Sequence, residues 1–538
     1  MEILTLKNLS FTYPLEEKKA LDNVSLSVEE GEFICLCGAS ACGKTTLMRL
    51  IKRELAPHGT LSGDIFFCGK AQSELSAHES ASEIGYVLQS PEAQIVTDKV
   101  WHELSFGLEN LGFSSDFIRL RIGEMANYFG IAHMFGSSTA KLSGGQKQLL
   151  CLASIMAMSP KLLLLDEPTS QLDPIAAADF IATLKKINQE LGTTVIIAEH
   201  RLEDIFPIAD KVAVMENGAL IAFDTPKNVC RKLKDRRTAL GFPVSARIWQ
   251  ALSADGEVPL TVREGRAFLK ENFSPRPNDI QEKRSQKDIA LSLSDIYFRY
   301  EKNSPDVLRG ASVSVGKGEI FCLLGANGAG KTTVLRAAAG LINPYRGKVK
   351  TAKGAKTALL CQNVQDLFLK NTVREDLLDI LAVHGIRKRE AEDKIIEISN
   401  SLGISHLLEK HPYDVSGGEA QKCALAKVLL TEPDILLLDE PTKAIDPAAK
   451  KELAAILHSL CQKGVTIFIV THDVEFAAEN ANRCALFFYG EILPASDVRT
   501  FFSANNFYTT AASRISRGIF ERAVTENDIL RLCGKEGK

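Results

Sequence analysis

Two short glycine-rich segments have the residue types and the spacing that bind phosphate. They span Gly38–Thr45 and Gly325–Thr332. Both follow the pattern G-x-x-x-x-G-K-[ST], in which glycines let backbone N–H groups turn towards an anion and the following helix adds its positive end. Lys44 and Lys331 can then reach the β and γ phosphates of a nucleotide, while Thr45 and Thr332 can place a hydroxyl on Mg²⁺.

One position distinguishes the two loops. Ala41 stands in the first loop where the second loop has Gly328. If the backbone needs a positive φ at this point, alanine is strained and the first loop binds nucleotide more weakly. The residues expected to contact the nucleotide are Gly38, Ser40, Gly43, Lys44, Thr45 and Thr46 in the first loop and Gly325, Asn327, Gly328, Gly330, Lys331, Thr332 and Thr333 in the second.

Two neighbouring carboxylates follow an apolar run in each half of the chain. Asp166 and Asp439 end these runs, where a carboxylate can hold Mg²⁺ directly or through water. Glu167 and Glu440 come next and can orient or deprotonate an attacking water. Adjacent carboxylates with these two roles are typical of a hydrolase.

Alternating strands and helices would position these groups. The apolar run Ile34–Cys37 leads into the first glycine-rich loop, and Thr46–Ile51 after the loop has a helical pattern. The segments Leu162–Leu165, Val195–Ala198 and Thr466–Val470 are continuously apolar, as expected of strands that are buried on both faces of a parallel sheet. The sequence therefore predicts an α/β fold.

The motifs recur in the same order, so the chain contains an internal repeat. Lys44 and Lys331 are 287 positions apart, whereas Glu167 and Glu440 are 273 apart, so the second copy is 14 residues shorter between these motifs. The predicted organisation is a first domain at 1–228, a connector at 229–288, a second domain at 289–498 and a tail at 499–538.

Composition excludes several other classes of protein. The chain has 538 residues and a formal net charge of −3, which gives no reason to expect nucleic-acid binding. No window approaches the roughly 18–20 apolar residues that a membrane-spanning helix needs. The 12 cysteines are scattered, which favours reduced thiols in a cytosolic core over a zinc site or a disulfide framework.

A Ser-Gly-Gly element precedes the carboxylate pair in each copy. These elements are Leu142–Gln146 and Val415–Glu419. Together with the loops and carboxylates, they make the chain resemble the ATP-binding-cassette (ABC) ATPases over both copies. The resemblance implies two ABC-type P-loop NTPase domains, each with a parallel-rich sheet, flanking helices, an antiparallel β part and a helical signature subdomain. It also implies ATP and Mg²⁺ as cofactors.

In that family the Ser-Gly-Gly element closes over the ATP that the other domain holds, so the resemblance implies two ATP sites formed within one chain. The residues that would do this are Ser143, Gly144 and Gly145, which would face the ATP on Lys331, and Ser416, Gly417 and Gly418, which would face the ATP on Lys44. The second element departs from the usual form at Val415 and Glu419. We therefore predict two competent but unequal sites.

Smaller family motifs are present in both copies. Gln89 and Gln362 match the glutamine that senses Mg²⁺ and the γ-phosphate and faces the membrane partner. His200 and His472 match the switch histidine that contacts the γ-phosphate, although a histidine after a strand is more often structural. Tyr13 and Tyr300 match the aromatic residue that stacks on adenine, and an ordinary edge-strand tyrosine is the alternative.

Three stretches look like one branch of the family, the ATPases of energy-coupling factor (ECF) transporters. These stretches are 89–109, 199–204 and 505–513. Such ATPases energise the import of vitamins or transition-metal ions. The resemblance implies a transmembrane coupling protein and a separate substrate-capture membrane protein as partners, with this chain bound peripherally at the cytoplasmic side of the cell membrane.

A different class with two cassettes acts without a membrane partner, as ribosome-associated translation factors. Those proteins join their cassettes by a long, charged helical linker. The connector of this chain contains Pro243, Pro259, Pro275 and Pro277, which do not fit one continuous helix. The fused ATPase of a sugar importer is a third alternative, but its two copies usually differ more in their catalytic residues.

Overall fold

The computed structural model describes residues 1–14, 16–234, 237–275, 288–443 and 445–535. It consists of two compact units, Met1–Thr261 and Val262–Lys538. The polar run 278–287, which belongs to the predicted connector, lies outside the described residues. The domain limits inferred from the repeat stay predictions.

The first unit alternates strands and helices. Its elements are β1 (Glu2–Thr12), β2 (Leu21–Glu29), β3 (Phe33–Gly38), α1 (Lys44–Ile51), β4 (Thr60–Phe67), β5 (Lys70–Ala71), α2 (Ala77–Glu83), β6 (Ile84–Val87), α3 (Pro91–Gln94), α4 (Val100–Asn110), α5 (Ser115–Tyr128), α6 (Gly144–Met156), β7 (Leu162–Asp166), α7 (Pro174–Leu191), β8 (Thr194–Ala198), β9 (Lys211–Glu216), β10 (Ala219–Asp224), α8 (Pro226–Lys232) and α9 (Val244–Leu252).

A six-stranded sheet in the order β10-β9-β3-β8-β7-β6 forms the centre of the first unit. All neighbouring strands are parallel except β9 and β10. Every residue of β7 and β8 is buried, which explains their continuous apolar sequences. The predicted strands at Ile34–Cys37 and Leu162–Leu165 are confirmed. Because β3, β7 and β8 run parallel, their carboxyl ends meet at one edge, where α/β proteins bind ligands.

Two further layers complete the first unit. The strands β2-β1-β4-β5 form an antiparallel sheet. Helices α4, α5 and α6 pack on one another as a helical part. Leu150 and Leu152 of α6 are fully buried, so this helix is a core helix.

The second unit repeats this order. Its elements are α10 (Val262–Asn272), β11 (Ile289–Phe298), β12 (Leu308–Gly316), β13 (Ile320–Leu324), α11 (Lys331–Ala338), β14 (Arg346–Thr351), β15 (Thr357–Leu360), α12 (Val373–Val383), α13 (Lys388–Leu402), α14 (Gly417–Leu429), β16 (Ile435–Asp439), α15 (Pro447–Gln462), β17 (Thr466–Thr471), α16 (Val474–Asn480), β18 (Arg483–Phe488), β19 (Glu491–Ile492), β20 (Ser496–Asp497), α17 (Val498–Ala504), α18 (Ala511–Ser516) and α19 (Glu526–Leu532).

The central sheet of the second unit has the order β15-β16-β17-β13-β18-β19, and β20 also pairs with β18. A separate antiparallel sheet contains β12-β11-β14. In the first unit β5 and α2 lie between β4 and β6, whereas β14 leads directly to β15 in the second. This difference accounts for the shorter second copy.

Helices from the predicted connector pack within both units. In the first unit, Val244 N at the start of α9 donates to the Glu203 carboxylate at 2.9 Å. In the second unit, α10 packs against α18, and the Arg266 guanidinium donates to the Arg514 carbonyl at 2.6 Å. The described part of the connector is therefore not one continuous helix. Near the end of the described chain, Thr525 caps α19 in a capping box.

None of the helices in the described ranges is long and apolar enough to cross a membrane.

A buried ion pair holds the helical part of the second unit together. Asp376 on α12 is fully buried and accepts a hydrogen bond from the Lys427 ammonium of α14 at 2.8 Å. The backbone N–H groups of Leu369 and Lys370 also donate to this carboxylate, at 3.0 and 3.2 Å. Removing Lys427 would leave a buried carboxylate without its cationic partner, which is strongly destabilising.

We expect Lys427→Met to lower the free energy of unfolding of the second unit by about 3–5 kcal/mol. Scanning calorimetry of the full chain measures this as a lower melting temperature of one transition. The control is Lys394→Met, which breaks the exposed ion pair with Glu432 and should cost less than about 1 kcal/mol. Equal shifts for the two variants would contradict the structural role of the buried pair.

Candidate functional site

The first glycine-rich loop joins β3 to α1 at the carboxyl edge of the sheet. Gly43 caps α1 with a φ of 103°, a conformation that side chains with a Cβ avoid. The Lys44 side chain is buried, and its ammonium donates to the carbonyl oxygens of Gly38 and Ala39, both at 3.1 Å. The ammonium group is therefore held inside the loop, where a phosphate would contact it.

The second loop has the same construction between β13 and α11. Gly330 caps α11 with a φ of 117°. The Lys331 ammonium donates to the carbonyls of Gly325 and Ala326 at 2.9 and 3.0 Å. It also lies 3.3 Å from a carboxylate oxygen of Glu440, which ties this lysine directly to the catalytic carboxylate predicted for the same copy.

The conformational part of the prediction at Ala41 is confirmed. Ala41 has a φ of 59°, and Gly328 at the matching position has a φ of 72°. Alanine in this region is strained, whereas glycine is not. Ser40 and Asn327 lie in the same loops, one position before these residues.

The threonine and the aspartate that are predicted to bind Mg²⁺ are hydrogen-bonded in the first unit. The Thr45 hydroxyl donates to Asp166 Oδ1 at 3.1 Å, and the Tyr86 hydroxyl donates to Asp166 Oδ2 at 3.3 Å. Burial, followed by the negative charge of Glu167, raises the pKa of Asp166. Carboxylate and hydroxyl oxygens are the donors that Mg²⁺ prefers, so the residues present fit this ion.

The matching pair in the second unit is Thr332 and Asp439. Burial raises the pKa of Asp439, and the hydrogen bond from Thr332 works against that rise. Tyr86 has no counterpart in the motifs, and it is a site residue that sequence reasoning missed. Tyr86 lies in β6, the strand that pairs with β7.

Glu167 lies between two predicted partners. The His200 Nε2 atom is 2.9 Å from Glu167 Oε1, and the Gln89 amide donates to Glu167 Oε2 at 3.0 Å. His200 Nε2 is also 3.5 Å from the Lys44 ammonium. The structure therefore brings the predicted glutamate, glutamine, histidine and lysine of the first copy into one cluster.

Glu440 makes two contacts with His472, through the side chain and the backbone of the histidine. The His472 Nδ1 atom is 2.8 Å from Glu440 Oε2, and the backbone N–H of His472 donates to the same oxygen at 3.2 Å. Burial works to raise the pKa of Glu440, but the hydrogen bond and charge of His472 and the charge of Lys331 outweigh it, so the pKa lies below its usual value. Gln362 follows β15 and is exposed.

Both glutamates that are predicted to be catalytic have an unusual backbone conformation. Glu167 has a φ of 46° and Glu440 has a φ of 50°, both in the left-handed region. Strained backbone at a functional residue persists only where the surrounding structure holds it. In both units the N–H group of this glutamate donates to the neighbouring strand, to Ala198 O in the first unit and to Val470 O in the second.

The two Ser-Gly-Gly elements begin helices. Ser143 caps α6 and Ser416 caps α14, each in a capping box with the residue three positions later. The glycines Gly144, Gly145, Gly417 and Gly418 form the first turns of these helices. A helix start with glycines offers N–H groups to an anion, but the assignment of these residues to the ATP of the opposite copy stays a prediction.

The two tyrosines expected near adenine are anchored to the helices behind the loops. The Tyr13 hydroxyl is 2.9 Å from Thr46 Oγ1, and the Tyr300 hydroxyl is 3.1 Å from Thr333 Oγ1. Each ring therefore lies beside the start of α1 or α11. Stacking on adenine stays a prediction for both.

The chain matches the family described as ABC transporter over residues 21–170 and 308–443. These stretches contain both glycine-rich loops and both carboxylate pairs. The chain belongs to this family. It is an ABC ATPase with two fused cassettes, as the sequence resemblance implied.

Relatives with the same two-cassette length are found in bacteria and archaea. A Bacillus cereus protein, named as a predicted ABC transporter ATP-binding protein, is 40% identical over 98% of this chain and 97% of its own length. A Methanosarcina acetivorans protein with the same kind of name is 31% identical over 90% of this chain and 84% of its own length. The likeness therefore extends to the connector and the tail.

Two solved structures are similar to parts or nearly all of this chain. CbiO1 of Clostridium perfringens, part of the ABC transporter complex cbiONQ, is 32% identical with a TM-score of 0.39, and the match covers 45% of this chain and 97% of that chain. An archaeal ribosome recycling factor, solved with a ribosomal stalk protein, is 19% identical with a TM-score of 0.59 and covers 92% of this chain and 91% of its own. This second likeness shows the fold alone. The predicted fold class is confirmed.

We expect the two ABC sites to contribute unequally to ATP turnover. The Glu440 side chain is 4% exposed and held by Lys331 and His472, whereas the Glu167 side chain is 13% exposed, so water reaches Glu167 more readily. At saturating ATP, Glu167→Gln should remove more than half of the phosphate release and Glu440→Gln less than half. Identical losses for the two variants would show that the sites are equivalent.

We expect Ala41→Gly to tighten MgATP binding by the first loop. A bound phosphate holds Ala41 in the left-handed conformation, whereas the free loop can leave it, so removing strain of about 1 kcal/mol lowers Kd by about fivefold at most. Calorimetric titration of the full chain carrying Lys331→Ala isolates the first loop. The matched control is Gly328→Ala with Lys44→Ala, where an added Cβ meets open space and only the strain is introduced. An unchanged or weaker affinity for Ala41→Gly would contradict the prediction.

Proposed function

We propose that this chain is the ATP-hydrolysing subunit of an ABC importer of the ECF type, which takes up a vitamin or a transition-metal ion. The observation that carries the ATPase part of the proposal is the cluster in each copy, which contains the loop lysine, the threonine and aspartate predicted to bind Mg²⁺, the glutamate and the histidine. The transporter names of the relatives support the role in transport.

The stretch that looks most like the ECF branch is tightly organised in the first unit. Gln94 of α3 accepts a hydrogen bond from Leu88 N at 2.8 Å. The buried Glu103 carboxylate of α4 accepts bonds from the N–H groups of Val96 and Thr97 at 3.2 and 2.9 Å and from the Thr97 hydroxyl at 2.8 Å. These bonds fix the path of the chain after Gln89, where the family contacts its membrane partner.

Exposed apolar side chains lie on this stretch and on α5, which packs against α4. They are Val96, Trp101, Phe106, Phe117 and Leu120, on α4, on α5 and on the loop before α4. Exposed apolar groups that are concentrated on one part of a surface mark a contact with another protein or with a membrane. We assign this surface to the transmembrane coupling protein, which would sit beside the separate substrate-capture membrane protein.

In this proposal the chain is bound peripherally at the cytoplasmic side of the cell membrane. ATP binding and hydrolysis would switch the cassettes between two states, and Gln89 and Gln362 would pass the change to the coupling protein. The transported substrate would contact only the capture protein.

Fractionation of cells that express the tagged full chain distinguishes a role in transport from a role at the ribosome. We expect the chain to co-purify from solubilised membranes with a hydrophobic partner and to be absent from the ribosome fraction. Leu120→Lys should release it from the membrane fraction, because a charge on the docking surface opposes burial. The same substitution at Leu191, an exposed position on α7, should leave the chain bound. Sedimentation with ribosomes would contradict the proposal.

A further inference from the structure

A buried carboxylate next to the first switch histidine has no assigned role in ATP hydrolysis. Glu199 is 2% exposed. Its Oε1 accepts hydrogen bonds from the Thr169 N–H at 2.8 Å and from the Thr169 hydroxyl at 2.6 Å. Its Oε2 accepts a bond from the His200 N–H at 3.1 Å. A carboxylate at this depth is stable only where donors of this kind satisfy it.

These bonds connect the two segments that carry the catalytic pair. Thr169 lies two residues after Glu167, and His200 lies directly after Glu199. Glu167 and His200 are themselves in contact at 2.9 Å. Glu199 therefore links the backbone beyond the glutamate to the backbone of the histidine, and it sets the spacing of the two side chains.

In the second unit the N–H group of the matching histidine has a different acceptor. Thr471 stands at the position of Glu199, and its hydroxyl accepts a bond from Asp473 N at 3.0 Å. The N–H group of His472 donates to the catalytic Glu440 itself, at 3.2 Å. In the first unit the acceptor for the matching N–H group is Glu199.

We propose that Glu199 is a positioning residue for ATP hydrolysis by the first cassette: it holds the His200 backbone and the Thr169 segment so that Glu167 and His200 meet in the productive geometry. Glu199 does not touch the reacting groups and acts through these two residues. The inference deepens the proposed function, and it rests on ATP hydrolysis by the first cassette and not on the identity of the transported substrate.

The test uses the full chain with Glu440→Gln, so that steady-state phosphate release reports the first cassette. Glu199→Gln keeps the shape of the side chain but replaces one acceptor oxygen with an NH₂ group that opposes a donor. We expect kcat to fall at least tenfold, while KM for ATP and the melting temperature stay within about twofold and about 2 °C. The matched control is Glu203→Gln, whose carboxylate accepts Val244 N outside the cluster, and it should leave kcat unchanged.

A double-mutant cycle shows whether Glu199 acts through its bonds. Thr169→Val removes the hydroxyl donor, so its effect on kcat and that of Glu199→Gln should not multiply in the double variant. An unchanged kcat for Glu199→Gln, a loss expressed in KM alone, or fully multiplicative effects would each overturn the proposal. Failure of the chain to fractionate with membranes would overturn the transport role and leave this comparison of turnover intact.

Discussion

The structure depends on one electrostatic constraint: an ammonium group and an aspartate carboxylate have to be buried at the carboxyl edge of a parallel sheet, next to a glutamate. A buried charge is costly unless hydrogen bonds and an opposite charge satisfy it. Carbonyl oxygens of the glycine-rich loops accept hydrogen bonds from the Lys44 and Lys331 ammonium groups. In the first unit the Thr45 hydroxyl donates to Asp166. The parallel order of the strands serves this constraint, because it brings the loop, the carboxylates and the histidine to one edge.

Much of this arrangement was predictable from sequence because each motif is local. A glycine-rich loop between an apolar strand and a helix, and two carboxylates after a continuously apolar run, each indicate one element and one place on it. The repeat made the prediction stronger, since both copies show the same order. The alignment of Ala41 with Gly328 raised a positive φ as a condition, and Ala41 meets it with a φ of 59°.

Other features could not be predicted, since they result from competition for hydrogen-bond partners in three dimensions. Sequence shows Glu199 beside His200, but only the folded chain shows that it accepts the histidine N–H that Glu440 accepts in the other unit. Tyr86 reaches Asp166 for a similar reason, because neighbouring strands bring them together. The packing of α10 against α18, far along the chain, has no local sequence signal.

We propose that one chain carries two ATP sites. Isothermal titration of MgATP into the Glu167→Gln, Glu440→Gln double variant, which slows hydrolysis, measures the number of sites directly. We expect two MgATP bound per chain, one lost with Lys44→Ala and the other with Lys331→Ala. Binding of a single MgATP, or binding that survives both lysine changes, would contradict it.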